Sequence, residues 1–176
     1  MRRKLAFLDG LADGRVPVWD YRTYEGARML RDQGFSLVVA THQPGVAYGR
    51  FGEAVVECLE RSLRCRLRQE GLLLHGFYWC PHDPSGRVPP FAKACACRKP
   101  GPGLLLKAAQ DLNADLRRSW TFGDVRDVEA GRQAGCRAAL LDDGGERDHA
   151  PGFLRTPDLA APDLLAAARS VVSLAV

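Results

Sequence analysis

Short apolar runs alternate along this chain with longer stretches whose apolar residues recur every three or four positions, so strands and helices are predicted in turn. Lys4–Leu8 is an apolar run that ends at Asp9-Gly10, the pattern of a buried strand entering a loop. A helix is predicted over Thr23–Gln33, where Ala27 and Leu30 keep helical spacing and Gly34 is a natural stop. Phe35–Ala40 is a second buried strand, ending on Thr41. Phe51–Gln69 is helical and Leu72–Trp79 strand-like. Gly103–Leu112 returns to a helix, with Pro102 suited to its first position. Ser119–Phe122 reads as a strand ending at Gly123-Asp124, Val128–Ala134 as a helix closed by Gly135, and Arg137–Leu141 as a strand ending at Asp142-Asp143. A last helix is expected over Ala161–Ser170. The stretch from Gly144 to Pro162 shows no motif and reads as a surface loop.

Strands alternating with helices predict an α/β sandwich with a mostly parallel sheet. A chain of 176 residues fits one domain spanning 1–176, with a sizeable core. Parallel sheets bind ligands beyond the carboxyl ends of their strands, so Asp9, Thr41, Lys99 and Asp124 are expected on one rim.

The segment from Phe77 to Gly103, FYWCPHDPSGRVPPFAKACACRKPGPG, changes the picture. It holds Cys80, His82, Cys95 and Cys97 as two tight pairs separated by twelve residues. Three thiolates and an imidazole suit a closed tetrahedral zinc site, structural rather than catalytic because no coordination position stays open. The alternative is two chance thiol pairs and a surface histidine; a loop this rich in Pro and Gly has little else to order it. Arg98 and Lys99 follow the last ligand, so a metal clip would fix where two cations point.

Composition excludes more than it proposes. Hydrophobic content of 46% and charged content of 26% are ordinary for a soluble globular protein. The net charge of +4 is mild and dispersed. The run Arg61–Arg68 interleaves Leu63 and Leu67 at helical spacing, which reads as a solvated helix face and not as a nucleic-acid patch. The opening MRRKLAFLDG is too short for a secretory apolar region, and no run approaches a membrane span. Cys58, Cys65 and Cys136 remain outside the zinc set, and a reducing cytoplasm is expected. His75 and His149 read as structural or solvated. No long exposed apolar helix stripe argues for an oligomer, so a monomer is expected.

Two carboxylates, a hydroxyl and an ammonium on one rim suit phosphoryl transfer. A carboxylate can attack phosphorus, Mg2+ held by Asp9 and Asp124 would relieve repulsion, and Thr41 and Lys99 could cradle the equatorial oxygens. Strand-end Asp, Thr and Gly also cap helices and make turns, and on spacing alone the two readings stand level.

The motifs FLDG, VVATHQPGVAYGRF, CPH…CACRKPGPG and FGDVRDVEAGRQAGC run in order from Phe7 to Cys136. Together they resemble the haloacid dehalogenase (HAD) superfamily. Within it they are similar to the zinc-containing histidinol-phosphate and D-glycero-D-manno-heptose 1,7-bisphosphate phosphatases. The resemblance implies a HAD-like fold with a minimal cap and a Mg2+-dependent phosphatase acting on a small phosphate ester, a sugar phosphate first. It implies Asp9 as nucleophile, Thr41 as second-motif hydroxyl, Lys99 as third-motif cation, Arg98 as a substrate contact and Asp124 as magnesium ligand.

The departures are specific. The family's D-x-D-G-T places a general acid two residues after the nucleophile, where this chain has Leu11. Either two residues are inserted and Asp13 supplies the proton, or the acid is absent. In the second case the chain would keep the phosphate pocket for binding or regulation, or run an altered reaction that keeps the Asp9 nucleophile and needs no acid at that position. The segment between Asp9 and Thr41 lacks a usual substrate loop. His42 stands where the family has Asn, as a neutral swap or as an altered substrate contact or acid. Asp127, one residue early for the fourth motif, could be only a helix cap.

Overall fold

The computed structural model describes residues 2–9, 13–15, 19–142 and 152–174. Leu11 and His149, and with them residues 143–151, lie outside the described residues.

Among those residues the strands are β1 (Lys4–Leu8), β2 (Phe35–His42), β3 (Leu74–Cys80), β4 (Trp120–Gly123), β5 (Arg137–Leu141) and β6 (Leu159–Ala161). They form one sheet in the order β3-β2-β1-β4-β5-β6, with every neighbouring pair parallel. The helices are α1 (Tyr21–Asp32), α2 (Glu53–Gln69), α3 (Gly103–Asp111), α4 (Val125–Ala134) and α5 (Leu164–Ser173). The expected α/β sandwich with a parallel sheet is the observed one, in three layers with helices on both faces of the sheet.

Parallel strands buried on both faces need apolar residues in both orientations, and β1 and β2 supply them. Ala6, Leu8, Leu37 and Val39 face a layer built on Ala27 and Leu30 of α1, Leu59, Leu63 and Leu67 of α2, and Leu164, Ala167 and Val171 of α5. Leu5, Phe7, Val38 and Ala40 face Leu104, Leu105 and Ala108 of α3 on the other side. Arg61–Arg68 behaves as expected, with Leu63 and Leu67 buried and the intervening arginines partly or fully exposed.

Several boundaries differ from the sequence expectation for local reasons. Helix α1 starts at Tyr21 because Asp20 caps it, accepting hydrogen bonds from the Thr23 amide and hydroxyl. Helix α4 starts at Val125, three residues before the predicted Val128, because Asp124 is its cap. Pro102 precedes α3 as the capping residue instead of occupying the first turn. Strand β2 continues through Thr41 to His42, so Thr41 lies inside the strand. The last helix starts at Leu164, not Ala161, with Asp163 accepting from the Ala166 amide. Ala161 belongs to β6, a strand within the stretch expected to be loop; Leu-Ala-Ala lacks β-branched residues and acquires its conformation by pairing with β5. No helix among the described residues is long and apolar enough to cross a membrane.

The strand order reverses direction between β1 and β4, which both end beside this junction. Such a switch point leaves a crevice at the carboxyl edge.

Candidate active site and zinc centre

Asp9 follows β1 directly, and its amide donates to the Phe122 carbonyl across the switch point. Asp124 follows β4. Lys99 arrives from the Cys/His loop and is almost fully enclosed, with 7% exposure. Its ammonium donates to the Ala40 carbonyl at 2.7 Å and pairs with Asp9 and Asp127. Asp9, Asp13, His42, Pro44, Lys99, Asp124 and Arg126 line one cavity of about 230 Å3. The expected rim therefore exists, although Thr41 is not at its surface.

The electrostatics follow from burial and charge. Burial opposes the Lys99 ammonium, but Asp127 and Asp9 more than offset it, and its pKa is raised. Burial pushes the Asp127 carboxyl up, to about 7, with repulsion from Asp9 and Asp124 adding to it against the pull of Lys99. Asp127 does cap α4 by accepting from the Asp124 amide at 3.1 Å. It also holds Lys99, a role the motif spacing leaves unseen. Burial works against ionisation of Asp124, but the Arg126 guanidinium and the amides of Arg126 and Asp127 outweigh it, so its pKa is lowered. Two carboxylates flanking a small cleft, with room for water, match the sparse protein ligation Mg2+ accepts. Asp9 and Asp124 are the residues that would hold it.

Asp13 shares the cavity with Asp9, and its position is built by backbone and side-chain groups from the turn after β2. The Gly45 amide donates to Asp13 Oδ1 at 3.0 Å, and Arg50 lies 3.5 Å from Oδ2. Gln43, fully buried, accepts from the Gly14 amide at 2.7 Å through Oε1 and donates to Thr41 Oγ1 at 3.1 Å through Nε2. Gly14 has φ of +66°, and the Phe51 ring packs so closely that a Cβ on Gly14 or Gly45 would lie 2.5 or 2.1 Å from it. Sequence reasoning misses Gln43, Pro44 and Arg126. The T-H-Q triplet was the available signal, but it draws the eye to His42. Thr41 is fully buried beneath Gln43.

His42 lines the cavity and its Nε2 donates to the His82 carbonyl at 3.0 Å, tying the pocket to the Cys/His loop. Burial lowers its pKa, so at neutral pH it is an uncharged imidazole and a poor proton donor. Arg98 is not among the cavity-lining residues; its guanidinium reaches the buried Asp83 at 3.0 Å.

The four expected zinc ligands do converge. Cys80, His82, Cys95 and Cys97 place their ligand atoms within 4.8 Å of one another, with Sγ···Sγ distances of 3.0, 3.1 and 3.5 Å and His82 Nδ1 at 3.3 and 3.6 Å from two sulfurs. A tetrahedral ion with bonds of about 2.3 Å to sulfur needs edges of about 3.8 Å, so the sulfurs must move apart by about 0.3–0.8 Å to accommodate it. Burial raises the Cys80 and Cys97 thiols, and a divalent cation is what would favour their deprotonation. The residues fit zinc. The same loop donates the Arg87 and Val88 amides to the Ala47 carbonyl at 2.7 and 2.9 Å, so it braces the turn that holds Asp13. The expected role for His75 remains structural, on β3 away from the cavity. Cys58 and Cys65 are exposed, Cys136 is buried, and all three are free.

Residues 96–167 match the HAD-hydrolase-like family model. D-glycero-beta-D-manno-heptose-1,7-bisphosphate 7-phosphatase of Yersinia pestis is 37% identical over 136 residues, 77% of this chain and 66% of the relative, so the chain spans just under two thirds of that protein. The enzyme of the same name from Haemophilus ducreyi is 34% identical over 153 residues, covering 80% of this chain and 84% of the relative. Among solved structures, D,D-heptose 1,7-bisphosphate phosphatase from B. bronchiseptica, complexed with magnesium and phosphate, superposes with a TM-score of 0.79 and 28% identity, covering 99% of both chains. Fold, motif order and relatives agree, and this chain belongs to the heptose 1,7-bisphosphate phosphatase family of HAD-like hydrolases.

Proposed function

We propose that the protein is a Mg2+-dependent phosphatase that removes a phosphate from a small sugar bisphosphate of the heptose 1,7-bisphosphate type. The observation that carries this reading is the single cavity shared by Asp9, Asp13, Lys99 and Asp124 at the switch point of the sheet. The relatives' activity supports it.

Asp9 attacks phosphorus, and the bond to the sugar oxygen breaks as Asp13 delivers a proton to that oxygen. The products of this half are an alcohol and an aspartyl phosphate on Asp9. Asp13, now a carboxylate, takes a proton from water, whose oxygen displaces Asp9 and releases inorganic phosphate. Lys99 faces the phosphoryl oxygens while held by Asp127, and His42 and Arg126 shape the wall. Arg98 meets the non-reacting part of the substrate once Asp83 releases or shares it. Mg2+ on Asp9 and Asp124 would supply positive charge against which a carboxylate can approach a phosphate. Zinc held by Cys80, His82, Cys95 and Cys97 would fix the Cys/His loop and with it the direction of Lys99. The protein acts as a monomer in a reducing cytoplasm, where its thiols stay available to the metal, and has no nucleic-acid or membrane partner.

The test is release of inorganic phosphate from a panel of sugar phosphates, with and without Mg2+, alongside Asp9→Asn. Turnover of a sugar bisphosphate that requires Mg2+ and disappears in Asp9→Asn is expected. Absence of turnover across the panel, or turnover that survives Asp9→Asn, would overturn the reading.

A further inference from the structure

The opposite edge of the sheet carries a second cavity, of about 240 Å3, whose chemistry is unlike that of the acidic rim. Lys4 opens β1, Phe35 opens β2, Trp120 opens β4 and Arg137 opens β5, with Lys4 aligned to Phe35 and Trp120 aligned to Arg137. Arg117 and Arg118 come from a short 3-10 turn, Leu116–Arg118, that leads into β4. All six line this cavity, together with Gln33 and the end of α5. The five residues of β1 separate it from Asp9 by roughly 16 Å.

Four cations converge here and, among the described residues, no carboxylate lines the space. Among the described residues none of the four enters an ion pair, whereas Arg22, Arg28, Arg31, Arg64, Arg132 and Arg155 each do. Two of the cations are oriented by rings. The Lys4 ammonium sits 4.3 Å from the Phe35 centroid and the Arg137 guanidinium 5.6 Å from that of Trp120. Burial, and then repulsion from Arg118, lowers the Lys4 pKa. The fold therefore holds like charges together without neutralising them.

We propose that this cleft binds a small molecule carrying two phosphate groups. Each phosphate monoester brings about −1.5 to −2 charges at neutral pH, so two balance four cations, while one leaves half unmatched. The cleft does not suit a nucleic-acid strand: Phe35 and Trp120 are only 7% and 4% exposed, under Lys4 and Arg137, and offer no ring face for a base. The site is independent of the reading given to the acidic rim.

The experiment uses methylenediphosphonate, a non-hydrolysable probe, titrated calorimetrically into the full chain in buffer without magnesium, where the carboxylate-rich rim repels polyanions. One equivalent should bind, with a change in Trp120 fluorescence and affinity that weakens as salt rises. Arg117→Ser/Arg137→Ser should lose at least tenfold in affinity while retaining its melting temperature and phosphate-ester turnover. If that double variant is unstable, Arg137→Gln alone should still weaken binding severalfold. Orthophosphate should bind at least tenfold more weakly than the probe. No binding by the native chain at millimolar probe, unchanged affinity in the folded variants, or equal affinity for orthophosphate would each overturn the proposal.

Discussion

Replacing Gln43 with leucine tests whether a buried amide places the proton donor. Leucine is close in volume, but it leaves the Gly14 amide and the Thr41 hydroxyl without the partners they have at 2.7 and 3.1 Å. Losing a partner in a buried site costs about 1–3 kcal/mol. If that cost falls on the docked position of the Asp13–Gly14 turn, the docking equilibrium constant drops roughly 5- to 150-fold, and the docked population by at most that factor. The ceiling is set by Asp13→Asn, for which loss of general acid–base catalysis predicts about 10²- to 10⁴-fold. Leaving groups separate this effect from simple damage. An alkyl phosphate needs a proton on its departing oxygen, whereas p-nitrophenolate departs without one. Stopped assays should therefore show kcat falling for a sugar phosphate in Gln43→Leu, by at most about 150-fold. Phosphorylation of Asp9 by p-nitrophenyl phosphate, read as a nitrophenolate burst, should stay within about threefold of the native rate on the same grounds. Equal losses with both substrates would refute the positioning role. A harmless Asp13→Asn would remove Asp13 from the chemistry altogether.

Other consequences follow from the same geometry. Lys99→Met strips the cation from two enclosed carboxylates, so we expect lost turnover and a fall of about 3–5 kcal/mol in unfolding free energy by urea titration. Adding Asp127→Asn should recover part of the stability but none of the activity; no recovery would show that Asp127 is not the strained partner. Cys95→Ser should abolish zinc in metal analysis and, at a cost of about 3 kcal/mol or more, lower the melting temperature by roughly 6–12 °C. A zinc-free variant as stable as the native chain would refute the structural role. The pKa of His75 is lowered, first by burial and then by the charge of Arg3. Below about pH 6.5 the unfolded chain therefore binds a proton that the folded chain resists, and stability falls as the pH drops. His75→Leu should lose less stability than the native chain between pH 7.5 and 5.5; parallel losses would refute this assignment.

Some of this protein was legible one residue at a time. The apolar runs at β1, β2 and β5 and the helical spacing of Leu59, Leu63 and Leu67 are local patterns, and burial needs nothing more to read them. The zinc ligands were equally plain, because Cys80 to Cys97 lie in one short loop whose spacing is itself the geometry. The rule that parallel strands gather polar residues at their carboxyl ends was enough to bring Asp9, Lys99 and Asp124 together.

Other features depend on chain segments far apart in sequence, and no local pattern encodes them. Asp13, displaced from the family's spacing, joins the cavity only because Gln43 and Gly45, some thirty residues on, hold its turn. Thr41 is hidden and Arg98 turned toward Asp83 by packing that spacing does not describe. Asp127 reads as a cap until Lys99 arrives beside it. Strand β6 exists only because β5 offers an edge. The four cations at the far edge, without an ion pair among the described residues, come from β1, the turn before β4, and β5, and only the sheet register makes them neighbours. Sequence determines what each short stretch can bury; the assembled fold decides which charges must face one another, because that depends on distances through space.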